Sequence, residues 1–383
     1  MKLKRSVIFS LTVATSIVAL AVSGCGDEET SGGSSSGETT GAATGALTVL
    51  LEAEGTVIDG LEPGEDTENI RDGWAVSFGK YLAAVGDVDV HLATDESVEA
   101  EAENVFVVDL TQIPATGLSL WSLEGLAVGR WEFNYATAGA GDGSTQHESV
   151  TDADYETMVS NDWTYLIEGA LTKADGQSCP PAALATPGEK SPNGNSSGEN
   201  PCYDAPTVSF SFGVSAETSF GPCEIDGATG FAVSSGATQT VSATIHGDHI
   251  FFNGFPEGDE GGVTRLAQWL ADCDLDLDGT VTLEELEAIS PSQLPEIDER
   301  YQLGGSLITP LNTMRDYVIS QLKTQGHYQG EGECPADGVA HEHGDEHGDE
   351  HGDEHGDEDE HGDEDEHGDE DEHGDEDEHG DEE

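Results

Sequence analysis

The chain has 383 residues, with 80 acidic side chains against 12 basic ones and a formal net charge of −68. Nucleic-acid binding depends on Lys and Arg that neutralise phosphates, so this balance argues against a nucleic-acid partner and against charge-driven docking on anionic lipid headgroups. It favours hard cations and high solubility instead. The length predicts one or two domains.

Residues 1–24 have the layout of a secretory signal, with three basic residues in the first five positions followed by a short apolar run. The run ends in Val22-Ser23-Gly24-Cys25, which resembles the lipobox of bacterial lipoproteins. The resemblance implies cleavage before Cys25, acylation of its thiol and attachment to a lipid membrane of the bacterial cell envelope. In that family, a residue such as Gly26 directly after the cysteine is compatible with sorting to the outer membrane, on its periplasmic or surface side. The alternatives are a plain signal peptide and an N-terminal anchor helix.

After the lipidated Cys25, the remainder of residues 25–45 is rich in Gly, Ser, Thr and acids, which is typical of a flexible, disordered linker. Residues 46–255 predict a β-rich domain, because short runs of Val, Phe, Tyr, Trp and Thr recur between turn residues. Long helical periods are absent there, so the fold class is mainly β, an antiparallel sandwich or barrel. The predicted strands are 47–52, 74–81, 85–92, 105–110, 130–136, 164–171, 207–214 and 239–252.

Cysteine use indicates disulfides, which persist outside the cytoplasm. Cys179 and Cys202 bracket a long loop of Pro, Gly, Asn and Ser, and we predict that they form a pair. The alternative, a soft-metal site, has no C-x-x-C spacing to support it. The other three cysteines offer a second pair and one spare thiol, with the choice left open: Cys223, Cys273 and Cys334.

Residues 274–285 match the calcium loop D-x-[DN]-x-[DN]-G-x₅-E at every fixed position. Carboxylates at positions 1, 3 and 5 converge on one ion, and a glycine at position 6 permits the sharp turn. A backbone carbonyl at position 7 and a bidentate glutamate at position 12 complete the shell. The predicted Ca²⁺ ligands are Asp274, Asp276, Asp278, Thr280, Thr282 and Glu285.

Apolar stripes over 263–270 and 283–289 predict a helix on each side of this loop. Loop and flanks together resemble an EF-hand, and we assign residues 256–332 to a small helical EF-hand module. The sequence has no second loop, although EF-hands usually work in pairs. We expect this single EF-hand to pack against another element of the protein. The candidate is a helix that begins at Thr309-Pro310.

Residues 333–383 form a tail that becomes a repeat of His, Gly, Asp and Glu, with 26 acids, nine His and eight Gly from His341 onward. Like charges and regular Gly predict disorder. Imidazole is a common ligand of Zn²⁺, Cu²⁺ and Ni²⁺, and the tail resembles the His-rich segments of periplasmic zinc-binding proteins. The alternative is a merely solubilising tail. The predicted ligands are His341, His343, His347, His351, His355, His361, His367, His373 and His379.

His246 and His249 flank Gly247 late in a predicted strand. Two His three residues apart on a strand face opposite ways, unless Gly247 bends the chain. With His91 or His147 they would form a discrete transition-metal site in the β-domain. The alternative is a packed or surface pair of His.

The sequence therefore predicts an exported lipoprotein that binds Ca²⁺ through the loop and Zn²⁺, Cu²⁺ or Ni²⁺ through the tail. Such a protein would scavenge metal or deliver it to a metal importer or receptor. We expect no enzyme, because the sequence has no G-x-S-x-G, P-loop or dinucleotide fingerprint. The alternatives are an unrecognised hydrolase and a structural or adhesive surface protein whose β-domain binds a partner.

Overall fold

A computed structural model describes residues 43–255 and 262–337. The signal sequence, Cys25, the linker up to residue 42 and all nine His of the tail lie outside these residues, so the predictions made for them stay predictions. Within the described ranges the protein is mainly β, in agreement with the sequence.

The longer strands build two sheets, and shorter ones add edges and hairpins. In chain order they are β1 Thr44–Ala53, β2 Ala75–Leu92, β3 Asp95–Ala102, β4 Phe106–Asp109, β5 Leu118–Ala127, β6 Gly129–Thr137, β7 Thr145–Gln146, β8 Tyr165–Thr172, β9 Gln177–Ser178, β10 Ser196–Ser197, β11 Asn200–Pro201, β12 Tyr203–Asp204, β13 Thr207–Val214, β14 Thr218–Phe220, β15 Glu224–Ile225, β16 Ala228–Thr229, β17 Phe231–Val233, β18 Thr238–Ile245, β19 Thr280–Thr282 and β20 Gly326–Tyr328.

Helices are short throughout the described residues. They are α1 Gly55–Asp59, α2 Asp152–Asn161, α3 Gln268–Ala271, α4 Leu283–Ala288, α5 Pro295–Arg300 and α6 Met314–Leu322, with 3-10 turns at Leu110–Gln112, Asp248–Phe251 and Pro291–Gln293.

The smaller sheet has the strand order β20-β18-β1-β5, and the larger one follows β14-β6-β2-β8-β13-β19 with further strands on β2, β4 and β6. Most pairs are antiparallel, as predicted, but β1 with β18, β13 with β19 and β4 with β7 are parallel. A parallel pair needs a long crossover connection, which the chain between β1 and β18 supplies. The sheets are therefore mixed, and the larger one curls into a half-barrel.

One cluster of buried apolar side chains joins the two sheets and the C-terminal helices. It contains Val49 of β1, Phe133 of β6, Leu270 of α3 and Val318 of α6. The described part of the predicted EF-hand module therefore has no core of its own. Its helices are also shorter than the apolar stripes predicted, since α3 has four residues and α4 has six. Helices this short are stabilised by tertiary packing and do not stand alone.

Three local predictions are corrected by the structure. The predicted strands 74–81 and 85–92 are one strand, β2, because residues 81–86 are buried on both faces of the sheet and the apolar alternation is lost there. The strand predicted over 239–252 ends at Ile245 and continues into a turn. The helix α2 was missed because Met158 is its only fully buried side chain, which leaves a weak apolar period.

Two disulfides tie the fold together. One joins Cys179 to Cys202, the pair predicted from the sequence, and the other joins Cys223 to Cys334. Within the described ranges the remaining thiol is Cys273, which is buried. Burial raises the pKa of this thiol well above its usual value, and the charges of Asp272 and Glu285 raise it further. The thiol is therefore protonated, which disfavours the soft-metal alternative.

Candidate metal centres

Three imidazoles meet at one end of the smaller sheet. The ring of His246 stacks on that of His327 with centroids 3.8 Å apart, while His249 meets His327 nearly at right angles at 5.1 Å. The Nε2 atoms of His249 and His327 are 3.2 Å apart. One nitrogen of each ring lies within 4.8 Å of the other two. We call His246, His249 and His327 the histidine cluster.

The sheet register and a glycine turn bring these rings together. β20 runs antiparallel to β18 and places His327 opposite Thr244, so His327 shares a face with His246, two residues beyond Thr244. After Gly247 the chain enters a 3-10 turn that carries His249 back to the same site. A Cβ on Gly247 would lie 2.6 Å from a methyl group of Val57, so any other residue there would require Val57 to shift.

Hydrogen bonds fix which nitrogen of two rings carries a proton. Thr324 donates its hydroxyl to the carbonyl of Gln321, so its oxygen accepts from Nδ1 of His249 at 2.8 Å. This leaves the lone pair of His249 on Nε2, the atom that faces His327. His246 donates from Nε2 to the carbonyl of Gly330 at 3.0 Å, which leaves its lone pair on Nδ1 in the neutral ring.

The cluster is almost removed from solvent. His246 is 1% exposed and His249 is 0% exposed. Burial lowers the pKa of His327 well below its usual value, and His246 and His249 lower it further, against a hydrogen bond to the backbone of Gly332 that raises it. The His327 ring is therefore neutral at pH 7.

Carboxylates surround the cluster with negative charge. An oxygen of Glu54 lies 3.8 Å from Nδ1 of His246, and Glu54, His246 and Glu331 form a second group of potential ligands. Asp248 is fully buried and pairs with Arg265, whose Nε is 2.6 Å from the Asp248 carboxylate. Burial raises the pKa of Asp248, but His249, Arg265 and His246 lower it more, so the net shift is downward.

The second candidate centre is the loop 274–285. The carboxylates of Asp274, Asp276 and Asp278 converge, with one oxygen of each within 4.8 Å of the others. Their remaining oxygens shape the loop. Asp274 accepts from the backbone of Gly279 at 2.9 Å, and Asp278 accepts from the backbone of Thr280 at 2.8 Å. Gly279 has φ of +93°, which glycine adopts readily.

The donor set of this loop fits a hard cation. Asp274 is 1% exposed, and its Oδ1 is buried without a hydrogen-bond partner in the described structure. Burial raises the pKa of Asp274 to about 6, opposed by the hydrogen bond from Gly279 and helped by the charges of Glu285, Asp278 and Asp276. A buried carboxylate oxygen among three other acids is costly by itself, and a bound Ca²⁺ would remove that cost.

Glu285 and Thr282, the predicted ligands at the end of the loop, close the loop through hydrogen bonds within it. Glu285 accepts hydrogen bonds from the backbones of Leu275 and Thr282 at 2.9 Å and 2.8 Å. Thr282 caps α4 in a reciprocal capping box with Glu285. The glutamate therefore spans the loop from its start to its end, but its carboxylate does not belong to the group that Asp274, Asp276 and Asp278 form.

In a pair of EF-hands a second calcium loop would lie beside residues 274–285. Here β13 of the larger sheet takes that place. The buried Val281 lies in β19, which pairs in parallel with Phe210 and its neighbours in β13. The predicted supporting helix also exists as α6, but it begins at Met314, after the cap Thr313. Met314 donates its backbone N–H to Ile289 just after α4, at 2.8 Å.

The loop between Cys179 and Cys202, which we call the disulfide loop, also supports the calcium loop. The backbone of Thr186 donates to the carbonyl of Leu275 at 2.7 Å, and the Lys190 ammonium donates to the carbonyl of Leu277. The disulfide loop thus supports positions 2 and 4 of the calcium loop, which alternate with the three aspartates.

The sequence found most of these residues and missed His327, Glu54 and Glu331. The structure brings His246 and His249 together, but His91 and His147 belong to neither His-containing group of potential ligands. His91 lies beside Asp89 at 3.1 Å, and His147 contacts Ser149 at 2.9 Å. The third imidazole is His327, which no local motif marked. The only signal was a lone His in a short apolar stretch after a helix.

No helix in the described ranges combines the length and the apolar character that a membrane crossing requires. Comparison with known proteins adds no candidate function, because no protein family, curated protein or solved structure matches the chain.

Proposed function

We propose that this chain is an exported, lipid-anchored protein of the bacterial cell envelope that binds divalent metal ions. Ca²⁺ occupies the loop 274–285, and the tail collects Zn²⁺, Cu²⁺ or Ni²⁺ for storage or for transfer to an importer. The lipobox-like sequence at Cys25 supports the anchor, and the His repeat from His341 supports the collection of transition ions.

The observation that carries the calcium assignment is the convergence of Asp274, Asp276 and Asp278, together with a buried oxygen of Asp274 that lacks a hydrogen bond. A carboxylate in that position is stabilised by a cation more than by any other nearby group. The ion is expected to be structural, because loops of extracellular modules bind Ca²⁺ with Kd on the order of 10⁻⁴–10⁻³ M and calcium outside cells is usually abundant.

Calcium titration calorimetry tests this assignment. Asp274→Asn is expected to weaken Ca²⁺ binding at least ~30-fold, since ligand charge sets the affinity of such loops. Asp142→Asn is the matched control, because Asp142 is an exposed acid in a turn outside the loop. Equal affinity in the two variants would contradict the calcium assignment.

Elemental analysis tests the role of the tail. The chain from residue 26 is compared with the same chain ending at Asp337, so that Cys334 keeps its disulfide to Cys223. The longer form is expected to retain several transition ions more than the shorter one. If both retain the same number, the tail is a solubility device, and the alternative of a surface protein that binds a partner takes precedence.

A further inference from the structure

We propose that the histidine cluster is a discrete site for one divalent transition ion, with Zn²⁺ as the ion to test, inside the β-rich body and separate from the tail. This inference rests on the proposed metal-binding function and adds a high-affinity site to it. The observation behind it is the convergence of ring nitrogens from β20, from the end of β18 and from the turn that follows.

The spacing of the rings fits a metal ion. Two nitrogen ligands of a tetrahedral Zn²⁺ at 2.0–2.1 Å are separated by about 3.3 Å. The Nε2 atoms of His249 and His327 are 3.2 Å apart. One nitrogen of each ring lies within 4.8 Å of the other two, and His246, which stacks on His327, turns out of this stack to bring its nitrogen to the same ion. Three imidazoles leave one tetrahedral position open.

The hydrogen bonds around the rings have the arrangement that metal-binding His need. In metal sites the nitrogen that does not bind the ion usually donates to an oxygen, which fixes the ring and its tautomer. His249 donates to Thr324, and His246 donates to the carbonyl of Gly330. These hydrogen bonds fix the orientation of both rings and leave Nε2 of His249 and Nδ1 of His246 as the nitrogens that would bind the ion.

The surroundings select the class of ion. Imidazole nitrogen suits Zn²⁺, Cu²⁺ and Ni²⁺ better than Ca²⁺ or Mg²⁺, which prefer oxygen. The carboxylates of Glu54 and Glu331 lie next to His246. Their negative charge compensates the charge of a divalent ion in a site that is almost closed to solvent. The competing explanation is a packed cluster in which His327 donates a hydrogen bond to His249.

The test uses the full mature chain with its nine tail His replaced by Gln, so that tail binding does not mask the body. Zn²⁺ is titrated into this protein in the presence of millimolar Ca²⁺, and bound metal is counted after dialysis. One Zn²⁺ per chain is expected. His327→Ala in the same background should raise the Kd at least ~100-fold, since changes outside the metal's own ligands already cost 10–100-fold. His91→Ala is the matched control, with a partly exposed imidazole.

X-ray absorption spectroscopy at the zinc edge supplies a second measurement that needs no change in the cluster. It is made on the chain whose nine tail His are replaced by Gln, the tail-His variant. Three imidazole ligands are expected, and fewer than two would overturn the inference. If the tail-His variant binds no Zn²⁺ while the unchanged chain binds several, the cluster is a packing feature and the proposed function survives. If neither protein binds Zn²⁺, both proposals fail. A Zn²⁺ that persists in His327→Ala places the ion elsewhere and also overturns the inference.

Discussion

The calcium loop and the histidine cluster are built in opposite ways. Every side chain of the loop lies within residues 274–285, and short-range hydrogen bonds from Gly279 and Thr280 shape it. The cluster joins His249 to His327, which are 78 positions apart, and exists only when β20 pairs with β18. A local motif carries its own geometry, whereas a site assembled by the fold depends on distant restraints. The two centres should therefore respond differently to the same kinds of change.

The largest effect is expected from the disulfide between Cys223 and Cys334, which spans 111 positions and ties the chain down soon after His327. Replacing both cysteines by Ser should lower the free energy of unfolding by about 2–5 kcal/mol, measured by chemical denaturation. Zn²⁺ binding by the cluster should be lost before Ca²⁺ binding, because β20 loses its anchor. Equal loss of both ions would show that the sites are not independently supported.

The other disulfide gives the converse expectation. Replacing Cys179 and Cys202 by Ser should release the disulfide loop, whose Thr186 and Lys190 donate hydrogen bonds to the calcium loop. Stability should fall by about 2–4 kcal/mol. Calcium calorimetry should show roughly tenfold weaker binding, equivalent to about 1.4 kcal/mol. Zn²⁺ binding in the tail-His background serves as the control and should not change.

A smaller change sharpens the comparison from within the cluster. Thr324→Val removes the oxygen that accepts from Nδ1 of His249 and keeps the side-chain shape. Zn²⁺ affinity should drop about tenfold, as is typical for loss of a hydrogen bond to a metal-binding His. Ca²⁺ affinity should be unaltered, and Thr313→Val, which changes the cap of α6, is the control for general effects on helix packing. An unchanged Zn²⁺ affinity would show that Thr324 does not orient His249 for metal binding.

A further effect concerns pH and the calcium loop without calcium. The pKa of Asp274 is raised from 3.8 in the unfolded chain to about 6 in the folded one, chiefly by burial. The folded state thus binds this proton more tightly. Asp274 therefore favours folding in acid, and this contribution is lost as pH rises through about 6.

Denaturation of the wild type and of Asp274→Asn in chelator measures this contribution. At pH 7 the variant should be the more stable of the two, and the difference should shrink toward pH 4.5. Millimolar Ca²⁺ at pH 7 should narrow the difference, since it stabilises only the protein that binds it. A wild type that remains the more stable protein in chelator at pH 7 would contradict the electrostatic argument.

The contrast between a local motif and a site assembled from distant segments also explains how much of the structure the sequence predicts. The mainly β class and the pair Cys179–Cys202 came from local patterns that the fold preserves. His327 could not be predicted, because nothing near it in the chain indicates that β20 pairs with β18. The pairing of β19, which contains Val281, with β13 could not be predicted either. The sequence indicated only that a second calcium loop was missing. Both depend on contacts between distant segments, which periodicity does not encode.

Anomalous diffraction from crystals grown in Zn²⁺ and Ca²⁺ tests most directly the central claim that the body has two metal centres of different chemistry. Data collected on both sides of the zinc edge should place one Zn²⁺ within bonding distance of His246, His249 and His327. An oxygen-coordinated Ca²⁺, without zinc signal, should lie among Asp274, Asp276 and Asp278. Zinc in the calcium loop, or no zinc at the histidine cluster, would contradict the account.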